Sequence, residues 1–213
     1  MLKFLEKQRL KQRLKIKEYK ARFSGPTRMV VGCMHGKEYE VTWDMLYDFE
    51  PRVSNGSFVI VPTVDKGERY VSTLDPAYQK TKAYKEYCKL MKIFEPELCV
   101  ELHTYERLES LVSERRKRSA PPLVAFNPKS RVEDQVLHGG PPPFVKHKFK
   151  EHGSYITLEV NPNFGMEAKS IVHYVLQVVA ESTKPSKVRE KLFEKFPESM
   201  RKAEKIFSEY MNQ

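Results

Sequence analysis

Short apolar runs at 28–33, 57–62, 100–103, 123–126 and 155–160 constrain this chain more than any other feature. Each is too short for an ordinary helix, is rich in Val, Ile, Leu or Phe, and is set off by turn or polar residues, which is the pattern of strands. Between them, 41–49, 77–94, 106–118 and 167–181 carry helical spacing of apolar residues. Strands separated by helices define an α/β chain. The expected architecture is a single domain with a mixed, largely parallel central sheet flanked by helices, and 213 residues suffice for one core.

Polar residues near the ends of three of these runs point to a site. Cys33-Met34-His35-Gly36-Lys37-Glu38 directly follows Met29-Val30-Val31-Gly32, and a His and a Glu three apart past a strand end can aim a ring nitrogen and a carboxylate at one point. Zinc used in catalysis keeps about three protein ligands, so a third is required. His103, which closes Leu98-Cys99-Val100-Glu101-Leu102-His103, is the best candidate. Glu159, in Tyr155-Ile156-Thr157-Leu158-Glu159-Val160, puts a carboxylate where a buried strand has an apolar residue. In open α/β sheets, sites form at the carboxyl edge of the strands.

These motifs, in this order, resemble the zinc carboxypeptidase superfamily, closest to its succinylglutamate desuccinylase/aspartoacylase branch and within that to a small archaeal subfamily. In that branch a His-Gly-Asn-Glu motif follows one strand, Asp-Leu-His lies on a later one, and a catalytic Glu on another. His35-Gly36-Lys37-Glu38, Glu101-Leu102-His103 and Glu159 stand in those places. The resemblance implies one zinc ion held by His35, Glu38 and His103, with Glu159 as general base toward an activated water. It implies hydrolysis of an amide bond in an N-acyl amino acid or peptide-like substrate bearing a carboxylate. It covers roughly 27–179. The chain departs from the pattern where Lys37 replaces Asn, Glu101 replaces Asp, and no Asn-Arg pair follows the first motif. In the corresponding region only Arg69 supplies a guanidinium.

Spacing adds further expectations. Residues two apart on a strand share a face, so Glu101 either accepts the free ring N–H of His103 or pairs with a lysine at the sheet edge. Tyr155 shares a face with Glu159 and is expected to line the substrate pocket beside that base. The stretch 127–154 has few regular signals, and irregular loops of that length often border sites; His138 is its histidine expected to face substrate. The Asp75-Pro76 pair reads as the start of the helix at 77–94, with Asp75 its cap. The run Glu114-Arg115-Arg116-Lys117-Arg118 reads as cations suited to a helix C-terminus, or alternatively as a cluster that attracts an anionic substrate.

Charge divides the chain. Residues 1–22 hold nine Lys or Arg against two Glu, and residues 182–213 hold eight against five, which accounts for the whole formal charge of +10. The expected organisation is therefore a basic extension over 1–26, the metallohydrolase-like α/β domain over 27–181 and a charged helical tail over 182–213. The alternative to an enzyme is a noncatalytic interaction protein whose basic ends hold nucleic acid or an acidic partner. No aromatic interleaving or binding motif accompanies the charge, so nucleic acid is not favoured. No apolar run approaches the ~18 residues of a membrane span, and the basic start has no apolar secretory core. Cys33, Cys88 and Cys99 form no paired framework, so the expected location is the cytoplasm.

Overall fold

The computed structural model describes residues 2–67, 70–118, 120–140 and 154–211. Its centre is a seven-stranded mixed sheet. In chain order the strands are β1 (Lys17–Lys20), β2 (Thr27–Gly32), β3 (Ser57–Val61), β4 (Leu98–Thr104), β5 (Val124–Ala125), β6 (Val136–Gly139) and β7 (Ser154–Val160). In space they run β1-β3-β2-β4-β7-β6-β5. The inner strands β3, β2, β4 and β7 are mutually parallel, while β1 joins antiparallel at one edge and β6 and β5 antiparallel at the other. The sequence suggests that β1 turns back onto β2 as a hairpin. Instead β1 lies on β3, because β2 is flanked on both sides by parallel neighbours.

The helices are α1 (Leu2–Arg13), α2 (Tyr39–Leu46), α3 (Lys82–Phe94), α4 (Leu108–Val112), α5 (Met166–Glu181), α6 (Pro185–Lys195) and α7 (Pro197–Met211). Alternation along the strands sorts them into two layers. Val30, Phe58, Ile60, Val100, Leu102, Leu158 and Val160 meet Met45 and Leu46 of α2, the apolar stripe of α5, and Val188 and Leu192 of α6. Met29, Val31, Val59, Val61 and Cys99 on the other face meet Leu10 of α1 and Tyr87, Leu90, Met91 and Phe94 of α3. Arg28, fully buried at the amino end of β2, donates to the carbonyl of Ser182 at 2.9 Å and to Asn55 Oδ1 at 3.1 Å, tying the end of α5 to the sheet.

Both basic ends are part of this core rather than appendages to it. Leu10 and Leu14 at one end and Val188 and Leu192 at the other are buried, because each charged helix keeps an apolar stripe. Much of the charge is spent within the chain: Lys7 and Lys11 converge on Glu18 at 2.9 and 3.1 Å, and Arg13 pairs with Glu86. The helix expected over 77–94 breaks in two. Asp75 caps a 3-10 turn, Pro76–Lys80, by accepting from Ala77 N at 2.8 Å, and Thr81 then caps α3 by accepting from Tyr84 N at 3.1 Å. The helix expected over 106–118 is only α4 followed by a 3-10 turn, Glu114–Arg118, so its basic run does not close a long helix.

Candidate metal centre

The turn after β2 is shaped by local backbone constraints. Gly32 sits where a side chain would strike Thr42 and the Pro62 carbonyl at 2.7 and 2.8 Å. Cys33 and Gly36 both adopt left-handed φ, 49° and 62°, a conformation that glycine takes freely and cysteine does not. Cys33 holds it by donating from Sγ to the Asp65 carbonyl at 2.8 Å, and burial pushes its thiol pKa up to about 12. The turn delivers His35 and Glu38 inward, with Glu38 at the start of α2.

His103 and Glu159 are direct neighbours across the parallel β4–β7 ladder, and Glu101 lies two residues before His103 on the same face. Thus β2, β4 and β7 bring His35, Glu38, His103 and Glu159 together at their carboxyl ends. Nδ1 of His35 is 3.7 Å from Glu38 Oε1, and Nδ1 of His103 is 3.4 Å from the same oxygen. The rings stack at 5.1 Å, and one ligand atom from each of the three residues lies within 4.8 Å of the others. Both Nδ1 atoms are buried and without a hydrogen-bond partner among the described residues. Glu38 is held rigidly: Oε1 accepts from Thr104 N at 3.0 Å, and Oε2 from Met34 N at 3.1 Å and His35 N at 3.4 Å.

Two imidazole lone pairs and a carboxylate form a donor set suited to a divalent ion such as zinc, and two buried, unpartnered ring nitrogens are otherwise costly. The three residues fit a metal.

Electrostatics separate the roles. Burial pushes His35 down to about 4, with His103 adding to the effect. His103 is also buried, yet Glu38, Glu101 and Glu159 together hold it well above the usual histidine value. Burial raises the Glu38 carboxyl, but His103, His35 and the Thr104 N–H outweigh that and keep it low. Glu159 goes the other way. Burial, reinforced by Glu38 and Glu101, pushes it up to about 7 against the pull of His103 and Arg116.

The other sequence candidates are distributed unevenly. Glu101 is buried and has no lysine partner among the described residues: it accepts from Tyr87 Oη at 2.6 Å and faces His103 Nε2 at 3.8 Å. Tyr155 shares the face of Glu159 but lies four residues back, about 13 Å along the strand, where it packs beneath α3 and pairs with Cys99. It does not sit beside the base. The expectation for His138 is corrected. Leu137, not His138, pairs with Glu159, so His138 points through the opposite face. There it stacks on Phe126 at 4.1 Å and shares a 2.7 Å hydrogen bond with Ser199 Oγ. Arg69 and residues 141–153 of the loop expected over 127–154 lie outside the described residues.

Sequence reasoning missed two residues at the site. The Tyr70 ring meets His35 edge-on at 4.7 Å. Arg116 has a buried Nη1 without a hydrogen-bond partner among the described residues; burial lowers its pKa, and Glu159 and Tyr70 oppose that loss. The basic run around Arg116 carried the signal as a cluster that could attract an anionic substrate, but nothing in the sequence singled out Arg116 within it.

The fold and site define a class: a single α/β domain with a candidate His–Glu–His metal centre at the carboxyl edge of its parallel strands. The chain belongs to the family described as "Uncharacterized protein conserved in archaea (DUF2119)", whose model matches residues 23–212. It is 28% identical over 203 residues to "Uncharacterized protein MJ0501" of Methanocaldococcus jannaschii, covering 92% of this chain and 96% of that one. Among solved structures it is similar to an aspartoacylase family protein from Mesorhizobium loti, with TM-score 0.44, 10% identity, and coverage of 79% of this chain and 62% of the other. A succinylglutamate desuccinylase/aspartoacylase from Rhodobacter sphaeroides gives TM-score 0.43, 14% identity, and coverage of 78% and 56%. The chain thus spans about three fifths of the length of these solved structures. No helix among the described residues is long and apolar enough to cross a membrane.

Proposed function

We propose that this protein is a zinc-dependent hydrolase acting on an amide bond of a small carboxylate-bearing substrate, such as an N-acyl amino acid. One observation carries the reading: two buried histidine Nδ1 atoms face the same Glu38 oxygen without a hydrogen-bond partner among the described residues. His35, Glu38 and His103 would hold the metal, in keeping with the motif resemblance. Bound there, zinc supplies a Lewis acid that activates water and polarises a carbonyl.

The chain's own residues do the rest. Glu159 is beside His103 across the ladder, and its pKa near 7 suits a group that takes a proton from water and passes it to the leaving amine. Such acid–base work contributes roughly 10²- to 10⁴-fold. Arg116, a half-buried cation near Glu159 whose buried Nη1 has no hydrogen-bond partner among the described residues, offers a charge-assisted hydrogen bond to a substrate carboxylate. It stands in for the guanidinium that the missing Asn-Arg pair would supply. Tyr70, packed on His35, forms one wall.

The test is metal content by mass spectrometry on protein purified without added metal, followed by a hydrolysis screen of N-acyl amino acids. The expected result is about one zinc per chain, lost in His35→Ala and His103→Ala, and retained in a Glu159→Gln variant that no longer turns over substrate. Protein that takes up no zinc, or Glu159→Gln that hydrolyses at the normal rate, overturns the reading.

A further inference from the structure

Glu101 is out of place for its surroundings. It is 1% exposed, on a strand whose neighbours Cys99, Val100 and Leu102 are fully buried. A carboxylate in such a place persists only where donors meet its charge. Tyr87, fully buried on α3, donates to Oε1 at 2.6 Å, within the short range of charge-assisted O–H···O⁻ bonds. Oε2 has no hydrogen-bond partner among the described residues and lies 3.8 Å from His103 Nε2. The other nitrogen of that ring, Nδ1, is the one that faces Glu38. A histidine that gives its Nδ1 lone pair to a metal carries its proton on Nε2, and here that proton points toward Glu101.

We infer that Tyr87 is a positioning residue for the metal centre: by fixing Oε1 of Glu101, it turns Oε2 toward Nε2–H of His103 and so orients the ring. This rests on the metal-dependent reading above. A Tyr87 that only filled space would be replaced by phenylalanine without consequence for the metal. A Tyr87 that acts through Glu101 leaves a specific energetic signature, because removing its hydroxyl matters only while the carboxylate is present. Partners of this kind around a metal ligand typically change affinity by 10- to 100-fold.

Zinc affinity is measured by competition with a chromophoric chelator in wild type, Tyr87→Phe, Glu101→Gln and the double variant, and thermal unfolding in excess chelator reports folding separately. Each single variant is expected to bind zinc about tenfold more weakly, and the double variant no more weakly than Glu101→Gln alone. Tyr87→Phe that binds like wild type, or whose loss adds in full to that of Glu101→Gln, overturns the inference while leaving the metal reading intact. Wild type that binds no zinc overturns both. Nitrogen chemical shifts of His103 in the zinc-loaded wild type give an independent check: Nε2 protonated supports the inference, and zinc on Nε2 overturns it whatever the variants do.

Discussion

Acid is expected to loosen this fold through His138, on the face of the sheet away from the metal centre. Its ring is 6% exposed, stacked on Phe126 and hydrogen-bonded to Ser199 Oγ, and burial pushes its pKa down to about 4. In the unfolded chain the ring titrates near ~6.5. Between those values the unfolded state binds a proton that the folded state refuses, so stability is fully present above pH ~6.5 and falls as pH drops toward 4. The difference of about 2.5 units, at 1.36 kcal/mol each, is about 3 kcal/mol, or roughly 6–12 °C in Tm for a chain of this size. Denaturant melts from pH 7.5 to 4, in excess chelator so that no metal equilibrium intrudes, measure it. His138→Gln keeps a polar group toward Ser199 but cannot titrate. Its stability at pH 7 is lower, but between pH 7 and 4 it should lose about 3 kcal/mol less than wild type. His35 is also depressed and present in both proteins, so its contribution cancels in the comparison. Parallel stability curves for the two proteins would refute the argument.

Zinc uptake near neutral pH is expected to release about one proton, because His103, held protonated by three carboxylates, must lose it to bind metal. Affinity should rise with pH, and a pH-indicator titration showing no release would contradict this. Arg116→Ala should raise KM for a carboxylate-bearing substrate by about 10- to 100-fold, the worth of one hydrogen bond to a charged group, with little change in kcat; steady-state kinetics against a neutral analogue, unaffected by the change, provide the control. Gly32→Ala should destabilise the fold by about 1–3 kcal/mol and weaken zinc binding, because the new methyl strikes Thr42 and the Pro62 carbonyl beneath the His35 turn. Urea melts and chelator competition measure the two effects.

Which residues gather at the site was legible where residue type alone decides. A histidine or carboxylate at the end of an apolar strand has few uses, and three such ends in an α/β sheet converge by topology. His138 was not legible because its direction depends on register. Shifting β6 by one residue against β7 would exchange Leu137 and His138 between faces, and nothing local in 127–154 marks that register. Tyr87 was readable as a core residue of a helix, but not as the partner of Glu101, because that bond joins α3 to β4 in three dimensions. The terminal helices misled for a different reason. Their composition is dominated by charge, while burial depends on where the few apolar residues fall, and Leu10, Leu14, Val188 and Leu192 fall inward.

The way Glu38 is held bears on how the centre works. Three backbone N–H groups, from Met34, His35 and Thr104, bind its two oxygens, and they come from both the turn after β2 and the end of β4. The carboxylate therefore links the two segments that carry His35 and His103, and sets their separation before any metal arrives. A ligand set fixed in this way loses little side-chain freedom on binding, so more of the coordination energy appears as affinity. The same preorganisation has a cost. With Glu38 fixed, the rings stack at 5.1 Å; Glu38, Glu101 and Glu159 favour a proton on His103, while burial disfavours one on His35. A dication held by His35, Glu38 and His103 would satisfy both ring nitrogens and the carboxylate together, a balance that a single shared proton cannot achieve. That asymmetry is why the arrangement reads as a metal centre rather than as a histidine–glutamate ion pair that happens to lie at a sheet edge.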